Sequence, residues 1–97
     1  MEMDSVHNYY ERLVFDEIKA NYRGLLNDEL LADMACIALN RIPPRYIRFD
    51  IDMSFFLTTE ERIDIENLVR KACRRAYKKI TSFQENHSDD AINRVKA

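Results

Sequence analysis

A chain of 97 residues with one glycine, two prolines and a net charge of −2 is long enough for one domain and too short for two. At this size roughly 65% of the unfolded surface is buried on folding, so a lone monomer is only modestly stable. The scarcity of Gly and Pro predicts long helices and few turns, and the slightly negative charge excludes strong attraction of nucleic acid by the molecule as a whole, leaving only local patches for such contacts.

The first predicted helix spans Ser5 to Tyr22. Tyr10, Leu13, Val14 and Ile18 recur at three- and four-residue steps, Ser5 fits the N-cap and Gly24 the stop. The second spans Asp28 to Ile42, with Asn27 or Asp28 accepting hydrogen bonds from the free amides of its first turn. Leu30, Leu31, Met34, Ala35, Cys36, Ile37, Ala38, Leu39 and Ile42 cover nearly its whole circumference, which predicts a central, buried helix. In that apolar setting Asp33 is conspicuous: it either faces solvent or bonds to a nearby arginine or amide. Cys36 in this run, and Cys73 further on, read as small buried hydrophobes without metal-site spacing.

Pro43 and Pro44 end the second helix, because proline clashes with the preceding turn and pushes the residue before it toward extended geometry. Ile47, Phe49, Ile51, Met53 and Phe55 then alternate with Arg48, Asp50, Asp52 and Ser54, which predicts a half-buried strand from Tyr46 to Phe56. No other segment alternates this way. A lone strand exposes an edge, so its expected partner is a second copy of the chain across a two-fold axis. A turn at Asp50-Ile51-Asp52 that folds the strand on itself is the competing arrangement. Thr58 and Glu61 form a capping box for a third helix ending near Phe83, with Ile65, Leu68, Val69, Ala72, Cys73, Ala76, Tyr77 and Ile80 as its apolar stripe. From residue 84 onward the chain is polar, and Ala91, Ile92 and Val95 fit at most a short helical turn. The expected fold is mainly α: three main helices with one short β-strand pairing across a homodimer. The expected organisation is a helical domain over 1–83 and a polar, mobile tail over 84–97.

The marks of catalysis are missing. There is no nucleophile elbow, phosphate-binding glycine loop or metal motif, and the carboxylate pairs Glu60-Glu61 and Asp50/Asp52 have no third group to raise one pKa. The chain is therefore expected to be no enzyme and to hold no metal or cofactor. His7 and His87 are expected at the surface. No stretch approaches the roughly 18 apolar residues of a membrane span. The opening Met1-Glu2-Met3-Asp4 lacks a signal-peptide pattern, so the expected location is the cytoplasm.

Two basic clusters stand out. Arg70, Lys71, Arg74, Arg75, Lys78 and Lys79 lie opposite the apolar stripe with no acid among them. They are either a solvated face that completes the helix dipole or a contact for phosphate or an acidic partner. Arg41, Arg45 and Arg48, with Tyr46 between them, have the chemistry to grip phosphate oxygens or a guanine edge and to stack on a base. Alternatively, Arg41 caps the second helix's carbonyls and Tyr46 packs in the core.

The run Asp33-Met34-Ala35-Cys36-Ile37-Ala38-Leu39-Asn40-Arg41-Ile42-Pro43-Pro44-Arg45-Tyr46 resembles the signature of the late competence protein ComFB family. In that family an acidic residue begins a buried helix that ends in a motif like A-L-N-x-[LIV]-P-P-x-Y, followed by an extended segment. Asn8-Tyr9-Tyr10-Glu11-Arg12-Leu13-Val14 is similar to the family's opening, and the likeness covers about residues 6–82. The resemblance implies a small, mainly helical homodimer with a regulatory role in competence, motility and related switches. It also implies a receptor for cyclic dinucleotides, cyclic di-GMP in particular. Some members hold zinc through clustered cysteines just before the acidic residue; Leu25-Leu26-Asn27-Asp28-Glu29-Leu30 has none, so zinc is not expected here.

With that resemblance, Arg41, Arg45 and Arg48 are candidates for phosphates or guanine edges, Tyr46 for stacking, and Asp33 for accepting from guanine N1 and N2. The expected function is a non-enzymatic cytoplasmic receptor for cyclic di-GMP. The alternative is a protein-interaction adaptor in competence or motility regulation with no nucleotide ligand, working through the basic face of the third helix and the strand edge. Nucleic-acid binding is a third reading that the negative charge disfavours.

Overall fold

The computed structural model describes residues 2–87. A 3-10 turn at Glu2–Ser5 leads into strand β1 (His7–Asn8), helix α1 (Tyr10–Asn21), helix α2 (Asp28–Arg41), strand β2 (Tyr46–Ile47), helix α3 (Asp50–Phe56) and helix α4 (Thr59–His87). α2 packs against both α1 and α4, and α1 also packs on α4. The bundle is mainly helical, as expected, but among the described residues it has four α-helices rather than three.

The core follows the apolar spacing of the sequence. α1 buries Tyr10, Val14 and Ile18, α2 buries Leu30, Met34, Ala35, Ile37 and Ala38, and α4 buries Val69, Ala72, Cys73, Ala76 and Ile80, with Ile42 sealing the end of α2. Steps of three and four residues hold each set on one face of its helix. Asn27 caps α2 as expected, its Oδ1 accepting the Leu30 N–H at 2.8 Å. Gly24 sits at φ +87°, a left-handed conformation that glycine adopts without a Cβ penalty, and it turns the chain from α1 toward α2. Cys73 is buried as expected, but Cys36 is exposed. The α2 surface is less completely covered than its composition implied, and Cys36 falls on the uncovered side.

The largest correction concerns residues 46–56. The predicted strand is only two residues long, and its partner lies in the same chain. Asn8 pairs with Tyr46 and His7 with Ile47 in an antiparallel ribbon. The ribbon therefore supplies from within what a second copy was expected to supply. Neither the long strand nor a turn within it forms; Asp50–Phe56 is helix α3. Acids in the first turn, Asp50 and Asp52, favour a helix start. A period-two apolar pattern wound into a helix cannot gather on one face, and accordingly only Met53 of α3 is buried while Ile51, Phe55 and Phe56 are exposed.

The helix boundaries differ at the other ends as well. The first helix begins at Tyr10, not Ser5, because His7 and Asn8 are drawn into the ribbon. α4 starts where its capping box predicts: the Glu61 N–H donates to Thr58 Oγ1 at 3.1 Å, and the Thr58 N–H donates to Glu61 Oε1 at 3.0 Å. It continues to His87, past the expected end at Phe83. The remaining tail with its Ala91, Ile92 and Val95, and the surroundings of the His87 side chain, lie outside the described residues.

Candidate functional site

The corner after Pro43-Pro44 is held by the amino-terminal segment. Asn8 is buried, and its Oδ1 accepts both the Tyr10 N–H at 3.2 Å and the Arg45 N–H at 3.0 Å. The Tyr9 N–H donates to the Arg45 carbonyl at 2.7 Å. These bonds fix the backbone from Arg45 into β2 and so set where Tyr46 projects. Asn8 was missed as a determinant. The available signal was its type, an Asn two residues ahead of a helical pattern, which is a strong cap residue; Ser5 drew the assignment instead.

A second set of contacts ties the same two segments. His7 bridges the Ser5 carbonyl, through Nδ1 at 2.8 Å, and Asp50 Oδ1, through Nε2 at 2.8 Å. The Asp50 hydrogen bond, helped by the Ser5 carbonyl, raises the His7 pKa above its ordinary 6.5. Arg12 Nε approaches the other oxygen of Asp50 at 3.3 Å. Arg48 donates from Nη2 to Glu2 Oε2 at 2.9 Å and from Nε to Ser5 Oγ at 3.2 Å, and its guanidinium lies 5.0 Å from the centre of the Phe49 ring.

The expected ligand residues are only partly brought together. Tyr46 and Arg48 line one shallow groove of about 420 Å³ with Val6, Ile47, Phe49 and Asp52. Tyr46 is 67% exposed, so it does not pack in the core. Arg45 is exposed, and its charge acts on Glu61 and Tyr9 rather than in that groove. Arg41 lines a different cleft, of about 210 Å³, with Leu68, Lys71, Ala72 and Arg75. Among the described residues its side chain donates no hydrogen bond to the carbonyls that end α2. Asp33 stands eight residues before Arg41, about 12 Å along the helix. It is half-buried, and its Oδ2 is buried with no hydrogen-bond partner among the described residues. That differs from both readings of Asp33, full exposure or a bonded partner.

Among the described residues no cluster of three or more His, Cys, Asp or Glu side chains could hold a metal ion. No helix among them is long and apolar enough to cross a membrane.

Neither curated proteins nor solved structures give a match to this chain. The family model for the late competence development protein ComFB matches residues 7–84, a span that takes in the ribbon, the corner and nearly all of α4. It covers both segments that build the corner, Asn8 with its neighbours and Ile42 to Tyr46, and it supports a competence-related regulatory role. The chain belongs to the ComFB family of late competence development proteins.

Proposed function

We propose that this chain is a cytoplasmic, non-enzymatic receptor for a cyclic dinucleotide, cyclic di-GMP, and that the groove of Tyr46, Arg48 and Phe49 takes one half of the ligand. The observation that carries the reading is an exposed aromatic face beside an arginine in one groove. Stacking of a base on such a ring contributes about 1–3 kcal/mol. A guanidinium fork matches phosphate oxygens or the N7 and O6 of guanine. Glu2 and Ser5 already orient the Arg48 fork, so a ligand phosphate exchanges one charge-assisted bond for another. A two-fold ligand suits two copies of the chain, and the exposed Ile51, Phe55 and Phe56 of α3 offer such a pair an apolar seam beside the groove.

Titration calorimetry with cyclic di-GMP and cyclic di-AMP at moderate salt tests this. The expected outcome is saturable heat with cyclic di-GMP, abolished in Tyr46→Ala and weakened in Arg48→Ala. Absence of heat with either nucleotide removes the receptor reading. Unchanged affinity in both variants relocates the site, and Arg45→Ala and Asp33→Asn then report whether it lies on those residues.

A further inference from the structure

The cleft on the flank of α4 has no part in the nucleotide groove. Arg41, the last residue of α2, lines it together with Lys71 and Arg75 of α4, and Leu68 and Ala72 are its apolar lining. None of the three cationic side chains has an ion-pair or hydrogen-bond partner among the described residues. The pattern extends along the helix: Arg70 and Arg74, Lys71 and Arg75, Arg74 and Lys78, and Arg75 and Lys79 are all like-charge pairs one turn apart. Each such pair is repulsive on a helix surface.

The helix dipole does not account for this arrangement. Because α4 runs on to His87, Lys71 and Arg75 sit more than three turns before its end, while the dipole acts within the last turn. We infer that the cleft of Arg41, Lys71 and Arg75 is a docking surface for an acidic polypeptide segment of a partner protein, anchored by an apolar side chain over Leu68. Charge complementarity supplies the attraction, and Leu68, a lining residue 39% exposed, supplies the anchor. A long nucleic acid is disfavoured as the occupant. Tracking along α4 toward its start, it meets Glu60, Glu61, Asp64 and Glu66 within the same helix, whereas a short acidic segment can stop at Leu68.

The test uses the full chain and a fluorescent peptide of repeated Glu-Glu-Leu, followed by anisotropy. A Lys-Lys-Leu peptide and a single-stranded oligonucleotide serve as competitors. The expected result is saturable, salt-sensitive binding of the acidic peptide that neither competitor displaces. Binding should weaken roughly tenfold or more in the double variant Lys71→Glu/Arg75→Glu, and also fall in the milder Arg41→Gln, with helicity checked by circular dichroism. The double variant Lys19→Glu/Arg23→Glu, an equal charge change in a different groove, should bind as the parent does. An equal loss in that control, tighter binding of the oligonucleotide, or no saturable binding overturns the inference. So does sedimentation showing that the cleft is covered by a second copy of the chain. Binding that persists in Tyr46→Ala separates this surface from the nucleotide groove, so either reading can fail alone.

Discussion

His7 sits between two acceptors, the Ser5 carbonyl and the Asp50 carboxylate, and only the doubly protonated ring donates to both. Its raised pKa means that the fold favours this form. The stabilising contribution is complete below the free imidazole value of 6.5 and fades as pH climbs through the higher folded value. Because the ring is only half-buried, added salt should weaken the effect. An NMR titration of the imidazole should show a midpoint above 6.5 in the parent and a lower one in Asp50→Asn; an unmoved midpoint in that variant would show that the carboxylate is not the cause. The two cysteines differ more sharply. Burial, with the nearby Glu17 charge, pushes the Cys73 thiol up to about 12, while Cys36 is exposed on α2.

Among the elements, those with a complete local signal formed as their residues predict. The capping box at Thr58 is such a case, with both reciprocal bonds present. The backbone hydrogen bond from Thr58 holds the Glu61 carboxyl below its ordinary pKa. Thr58→Ala should destabilise the fold by about 0.5–2 kcal/mol, read from the urea midpoint. The starts and buried stripes of α2 and α4 were legible in the same way, because their caps and apolar spacing agree, while the exposure of Cys36 and the extension of α4 to His87 were not. Residues 46–56 were not. The alternation from Ile47 to Phe55 satisfies a strand template, but a strand needs a long partner, and among the described residues this segment pairs only with His7 and Asn8. That partner was invisible in the sequence because the dipeptide is too short to show a period. The candidate site was legible to the same extent. Tyr46 and Arg48 share a groove, whereas the spacing of Arg41 and Arg45 said nothing about the helix end and loop that direct them elsewhere.

On the scale of the whole molecule, α4 decides the shape. Its 29 residues span about 44 Å, close to the longest dimension of 46 Å, while the other two extents are 35 and 22 Å. So flat a body has a thin core, and the residues at its centre carry a large share of its stability. Met34 is fully buried at that centre, on the helix that touches both neighbours. Met34→Ala should cost about 2–5 kcal/mol, seen as a lower urea midpoint with an unchanged slope. A loss below that range would mean that α1 and α4 close over the gap. The two-residue ribbon has a different consequence, for the order of folding. Asn8 and Arg45 meet across 37 positions of chain, and bringing them together costs loop entropy that two bridged pairs cannot offset until α1 and α2 are already docked. The ribbon should therefore form late and open early, and its amides should exchange with solvent sooner than those of the core helices. The groove beside Tyr46 is built on that ribbon, so exchange at the Tyr46 and Ile47 amides reads its opening apart from that of the bundle.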